Sequence, residues 1–186
     1  APDVFGGMAM LRLAALHARG ARVRVLTNSL ASTDLLAVHS GYENYREDML
    51  ENGVEIYELR PDSTVRELRW SSVSSKSRAG LHAKAMVVDR RYVVVGSYNL
   101  DPRSADINTE LALLVDSPAF AEKVAEFFED GVKPENSYRV TLERGRLRWT
   151  TSDGGTVRVY TEEPETSWWT RFKVDALGLL PIHSML

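Results

Sequence analysis

The chain has 186 residues, 44% of them hydrophobic and 26% charged, with a formal net charge of -3 at neutral pH. That length allows one sizeable core with at most a small appendage, and the composition is that of a folded chain rather than a disordered one. Nucleic acid is not the expected partner, because gripping phosphates takes clustered Lys and Arg that a mildly acidic chain does not advertise. The absence of cysteine excludes disulfides, thiolate catalysis and cysteine zinc sites.

No stretch approaches the ~20 apolar residues needed to span a bilayer. The opening residues 1–5 lack the charged head and apolar run of a signal peptide. They read as a chain entered in mid-fold, so a piece of something longer is expected.

Residues 8–19 carry apolar side chains at helical spacing and stop at Gly20, which predicts a helix. Residues 22–27 alternate and are β-branched, a strand, and 28–34 are loop-like. Residues 38–51 predict a second helix closing at Asn52-Gly53, and 54–59 a second strand ended by Pro61-Asp62. Helix then strand, twice over, implies an α/β fold with a mixed, mostly parallel sheet flanked by helices.

Beyond an exposed serine-rich loop at 71–77, residues 82–89 and 92–97 form a hairpin signal around Arg90-Arg91. Residues 110–115 are a further strand. Ser117-Pro118 then starts a helix running to about Asp130, serine capping and proline in the first turn. Residues 138–142, 147–150 and 156–160 are short strands with turns at Arg144-Gly145 and Asp153-Gly154-Gly155. Residues 165–180 are amphipathic and tryptophan-rich. No internal repeat is visible. A soft boundary falls near Lys133-Pro134, separating an α/β unit (1–133) from a small hairpin-and-helix appendage (134–186).

The chemistry concentrates in residues 82–110. His82, Lys84, Met86 and Val88 are two apart, so on a strand they share a face. Two polar residues at the start of an otherwise apolar face belong at a cleft on the sheet edge. The next strand delivers Gly96, Ser97 and Asn99, and pairing would bring an imidazole, an ammonium, a hydroxyl and an amide together. That set suits a phosphodiester. Lys84 supplies a point charge, Ser97 and Asn99 neutral hydrogen bonds to non-bridging oxygens, and His82 either a nucleophile or a proton donor. Glu110 is the candidate carboxylate to hold the second imidazole nitrogen. Gly96 permits a close approach of backbone to phosphate. Asp89 is read as partly structural, anchoring the turn.

His-x-Lys, four residues, Asp, six residues, Gly-Ser-x-Asn resembles the HKD signature of the phospholipase D superfamily, with Glu110 where members place the carboxylate that orients the histidine. Thr27-Asn28-Ser29-Leu30, Val38-His39-Ser40-Gly41-Tyr42, residues 53–59, 99–104 and 108–110 resemble the second half of bacterial cardiolipin synthases. The ending, from Trp168-Trp169 to Pro181-Ile182, is similar to the third cardiolipin synthase type of Gram-negative bacteria.

The resemblance implies a phospholipase D-like α/β/α sandwich in which two HKD motifs face each other. One histidine becomes a phosphohistidine and the other serves as acid, then base. It further implies phospholipid substrates, no cofactor or metal, and peripheral contact with the bacterial inner membrane. Only one motif is present here, so a missing N-terminal half or a second copy of the chain is the expected partner, and by analogy His82 is the acid/base. The fragment alone is expected to be inactive.

Weaker candidates for substrate binding are Asn28 and Ser29 at a strand end, His39 in the second helix, and Arg103 after the motif. For the Trp168–Lys173 segment a membrane-interface role competes with packing on its own domain; packing is preferred because Asp175 interrupts the basic face. Phosphatidyl transfer forming cardiolipin is the leading reading. A homodimeric nuclease of the same superfamily and a non-catalytic membrane module are the alternatives.

Overall fold

The computed structural model describes residues 12–33, 36–63, 81–97 and 109–178. Helix α1 is seen at 12–18 and is followed by β1 (Arg24–Asn28), α2 (Leu36–Glu51) and β2 (Glu55–Leu59). Both helices end alike. Gly20 and Gly53 take φ of 87° and 80°. After α1, the Gly20 N–H donates to His17 O at 2.8 Å and Ala21 N–H to Leu16 O at 3.0 Å. After α2, Gly53 N–H donates to Leu50 O at 3.1 Å and Val54 N–H to Met49 O at 3.0 Å. These paired bonds satisfy the last carbonyls of each helix and need a left-handed residue, which glycine supplies at least cost.

Strands β1 and β2 are parallel, in a register that sets Asn28 opposite Leu59. The chain then forms β3 (Ala85–Val88), β4 (Tyr92–Gly96), β5 (Ala112–Asp116) and α3 (Pro118–Gly131). Strands β6 (Ser137–Glu143), β7 (Arg146–Asp153) and β8 (Thr156–Tyr160) and helix α4 (Trp168–Gly178) complete it. The described strands make two sheets, ordered β1-β2-β6-β7-β8 and β3-β4-β5.

A mixed sheet flanked by helices is thus present, but the balance differs from expectation. Among the described strands only β1 and β2 pair in parallel. The reason is the length of the links. A parallel return needs a crossover such as α2, whereas the two-residue turns Arg144-Gly145 and Gly154-Gly155 can only fold the chain back on itself. All four turn residues have positive φ, as such hairpins require. The strands after the boundary at 133–134 continue the same sheet as β1 and β2, through β2–β6 pairing.

The core of that sheet is Met49, Val54, Ile56, Tyr138, Val140 and Trp149. Helix α3 links the two sheets. Ser117 caps it, accepting from Phe120 N–H at 3.3 Å, with Pro118 at its start. Ala121 and Ala125 are buried, and Glu129 clamps Arg24 of β1 with bonds of 2.5 and 2.9 Å. A Cβ on Gly131 would lie 2.4 Å from the Leu26 side chain, so the end of α3 sits directly on β1.

Helix α4 is held by Val174, which is 1% exposed, yet Trp168, Trp169 and Phe172 are 68%, 49% and 54% exposed. Packing on the domain therefore accounts for one side of the segment and leaves the aromatic side open.

Candidate functional site

The hairpin β3–β4 positions the candidate site at one end and a turn at the other. His82 and Lys84 lie just before β3, where the strand leaves the sheet. The Gly96 N–H donates to Lys84 O at 3.1 Å, so the paired strand fixes the backbone at Lys84. Lys84 Nζ donates to His82 O at 3.1 Å and stands 3.3 Å from His82 Nε2. An ammonium has only donors, so the Nε2 lone pair is what faces it. His82 is exposed and Lys84 half-buried.

On the neighbouring strands, Ser97 Oγ donates to Glu110 Oε2 in a short hydrogen bond. It also accepts from Leu111 N–H at 3.1 Å, and Ser97 N–H donates to Leu111 O at 2.9 Å. These bonds extend the β4–β5 ladder past Gly96 and hold the Ser97–Glu110 pair at the same end of the sheet as His82 and Lys84, which precede β3. The close approach that Gly96 permits is to the protein itself. A Cβ there would sit 2.2 Å from Leu111 O, so glycine is required by strand packing.

The other candidates fall elsewhere. Asp89 is exposed at the far end of the hairpin, in a turn where it and Arg90 take φ of 52° and 50°, closed by Arg91 N–H to Val88 O at 3.1 Å. The structure separates it from His82 by the length of β3 and gives it a turn-forming position. Ser29 is fully buried, its hydroxyl bonded to Ser32 Oγ at 3.2 Å. Asn28 faces the backbone of Leu81, accepting from its N–H at 2.6 Å and donating to its carbonyl at 2.9 Å. Asn99 and Arg103 lie outside the described residues.

His39 is buried in a second polar cluster that sequence reasoning missed. Glu58 on β2, 0% exposed, accepts from Tyr42 Oη at 2.9 Å, Arg46 Nη1 at 3.0 Å and Trp149 Nε1 at 2.9 Å. Arg46 also donates to Glu163 Oε1 at 2.6 Å. His39 Nε2 stands 3.5 Å from Glu43 and 3.9 Å from Glu163, ion-pair distances without a formed hydrogen bond. Burial disfavours the charged His39 imidazole, but the Glu163 and Glu43 carboxylates outweigh it and lift the group to about 9. Burial opposes the Arg46 charge too, and Glu58 and Glu163 reverse it, so Arg46 is held charged. Glu163 ends below the usual carboxylate range: burial raises it, and His39 and Arg46 lower it by more.

His39, Glu43 and Glu163 offer donor atoms within 4.8 Å of one another, a spacing that could hold a cation. The Arg46 guanidinium already supplies positive charge at Glu163, which makes the cluster an ion-pair lock. Its sequence signal was partial. His39, Glu43 and Arg46 share a helical face by spacing, but Glu163 lies 117 residues from Arg46 and carries no local mark.

Residues 8–131 match the family described as "Cardiolipin synthase, PLD-like domain". The chain belongs to the phospholipase D-like family. The likeness read from the motif and its surroundings is borne out. The chain is 34% identical over 173 residues to cardiolipin synthase C of Escherichia coli (strain K12), covering 90% of this chain and 36% of that protein. To cardiolipin synthase A of Pseudomonas putida (strain GB-1) it is 30% identical over 138 residues, covering 74% of this chain and 24% of that one. The chain therefore spans about a third or less of the length of these two relatives. Among solved structures it matches the phospholipase D family member Nuc from Salmonella typhimurium, with 20% identity and a TM-score of 0.47, over 76% of this chain and 75% of that one.

Proposed function

We propose that this chain supplies one half of a phosphatidyl-transfer site that forms cardiolipin from phosphatidylglycerol and a second phospholipid. The observation that carries the reading is the pairing of His82 and Lys84. An imidazole and an ammonium stand 3.3 Å apart at an open strand end, beside the bonded Ser97–Glu110 pair. Lys84 stabilises negative charge on the non-bridging oxygens, and the imidazole moves the proton between alcohol and phosphodiester. Glu110, through Ser97, stiffens the strand ends around them. Asn99 is assigned to phosphate binding by its place in the motif, and Arg103 by following it.

A complete site needs a second histidine. It comes from another HKD-bearing segment or from a second copy of the chain, one imidazole forming the phosphohistidine while the other protonates the departing alcohol and later deprotonates the acceptor. The identity of the relatives favours phospholipid over nucleic acid as substrate. Peripheral contact with the bacterial inner membrane is part of the same reading. It is supported by the exposed Trp168, Trp169 and Phe172, with Lys173 Nζ 5.7 Å from the Trp169 ring centre. Among the described residues no helix is long and apolar enough to cross a membrane.

The test is His82→Ala in the full polypeptide that carries this sequence, assayed on phosphatidylglycerol vesicles. Cardiolipin formation is expected to fall by ~10²–10⁴-fold. Undiminished transfer rejects the assignment, and loss of single-stranded DNA cleavage with no lipid turnover in the unsubstituted protein would favour the nuclease alternative.

A further inference from the structure

We infer that Asn28 is a positioning residue for His82, acting through the backbone of Leu81 rather than as a ligand for substrate. The inference rests on the assignment of His82 to the reacting site made above. Asn28 ends β1, at the edge of the parallel β1–β2 pair, and Leu81 is 53 residues further along the chain. The Asn28 side chain accepts from the Leu81 N–H at 2.6 Å and donates to the Leu81 carbonyl at 2.9 Å. It thereby gives Leu81 what a partner strand would give, a donor and an acceptor on one planar amide.

On the other side of the histidine, the Gly96 N–H holds Lys84 O at 3.1 Å. His82 is thus carried on a span of backbone fixed at both ends, at Leu81 by Asn28 and at Lys84 by β4. The two anchors belong to different sheets. Asn28 links the five-stranded sheet to the segment bearing the histidine, while the three-stranded sheet provides the other hold.

The side-chain type follows from this role. Aspartate at position 28 would keep an acceptor for the Leu81 N–H but set a second acceptor against the Leu81 carbonyl. Serine or threonine could not reach both groups from one planar unit, and glutamine would displace Leu81 by a methylene. A neutral amide of asparagine length is what the two distances call for. If Asn28 instead turned to bind a substrate oxygen, the Leu81 N–H and carbonyl would both lose their partner.

The experiment uses the full polypeptide with Asn28→Ala, Asn28→Asp and His82→Ala. Transfer is measured on phosphatidylglycerol vesicles, and amide hydrogen exchange is followed in the same proteins. Asn28→Ala is expected to lower kcat by ~10–100-fold with KM within about twofold, since a shift of the order of an ångström at the reacting group has that effect. Asn28→Asp, which keeps the acceptor for Leu81, is expected to lose less. Exchange at the Leu81 amide should rise by about tenfold or more in Asn28→Ala, while the amides paired between β4 and β5 stay protected.

A raised KM with kcat unchanged would show a substrate ligand and overturn the inference. So would normal kinetics, or unchanged Leu81 exchange, in Asn28→Ala. If Asn28→Ala also loses β4–β5 protection, Asn28→Asp decides by kinetics alone, since it keeps the acceptor for the Leu81 N–H: a lowered kcat with KM unchanged upholds the positioning role, and a raised KM or an unchanged kcat overturns it. Transfer that survives His82→Ala marks failure of the underlying site assignment, whereas transfer lost in His82→Ala but intact in Asn28→Ala marks failure of the positioning role alone.

Discussion

Around Glu58, the side chains of Tyr42, Arg46, Trp149 and Glu163 are packed out of water and bonded in a chain. Around His82, an imidazole, an ammonium, a hydroxyl and a carboxylate stand at open strand ends, and His82 itself is exposed. The ingredients are similar and the settings opposite. In the buried cluster each charge is held by fixed partners, and the arrangement joins α2 and β2 to the segment preceding α4. In the open cluster the ammonium and the imidazole can still turn toward a substrate. Low dielectric makes the first group a structural lock, and water keeps the second available.

The sharpest way to test that contrast is to remove the centre of the lock. Arg46→Ala leaves Glu58 and Glu163 buried without their shared cation, and is expected to cost about 3–5 kcal/mol in urea unfolding. His82→Ala, at the open site, should change the unfolding midpoint by less than about 0.5 kcal/mol. Equal losses in the two variants would erase the distinction.

The lock should also give stability a characteristic pH dependence. His39 rises from its ordinary 6.5 to about 9 on folding, so its charged form is favoured by the fold. The sign follows: its contribution is complete below about 6.5 and is lost as pH climbs through about 9. The facing groups are Glu43 and Arg46 on its own helix, Glu58 on β2 and Glu163 before α4. Stability is expected to decline across that window by an amount on the order of a few kcal/mol. Replacing His39 by Gln should flatten the decline between pH 6.5 and 9, measured by urea midpoints at each pH. A decline that persists in His39→Gln would assign it to another group.

How far these features could be read from sequence depends on how local their causes are. The helix ends at Gly20 and Gly53 and the Ser117-Pro118 start are written in one or two residues, and they stand where expected. The nearness of His82 and Lys84 agrees with their period-two spacing, whereas Glu110, expected to hold the His82 imidazole, is bonded to Ser97 on the neighbouring strand end. Antiparallel pairing across the short turns was legible, whereas the pairing of β2 with β6 was not, since those strands meet from far apart in the chain. The same holds for Glu163, which reaches Arg46 from the far end of the chain. Asn28 drew attention by standing at a strand end, but its partner is a backbone group 53 residues away, and no side-chain pattern marks that.

At the join between ladder and site, Gly96→Ala offers a smaller effect. The added methyl would lie 2.2 Å from Leu111 O, a backbone atom that cannot rotate away. Relieving that contact takes a shift of roughly an ångström between β4 and β5, which should cost about 1–3 kcal/mol and loosen the Ser97–Glu110 bond together with it. Faster hydrogen exchange at Ser97 and Leu111 is the expected sign. Unchanged exchange and stability would mean the strands part without strain.

The smallest effect belongs to an ion pair that looks on paper like the lock. Arg91 meets Asp116 through two bonds of 2.7 Å, as well formed as the contact of Arg46 with Glu163. The pair is exposed, with half of each side chain in water. The Arg91 hydrogen bond holds Asp116 below its ordinary range, so Arg91→Ala should raise the Asp116 titration, followed by carboxyl NMR shifts. Little change in the unfolding midpoint is expected, because water and salt screen the charges that remain. Both pairs are guanidinium–carboxylate contacts at hydrogen-bond distance, so the difference between Arg46→Ala and Arg91→Ala reports burial together with the second carboxylate, Glu58, that Arg46 also serves. If Arg91→Ala proved as damaging as Arg46→Ala, geometry rather than desolvation would govern the strength of ion pairs in this protein.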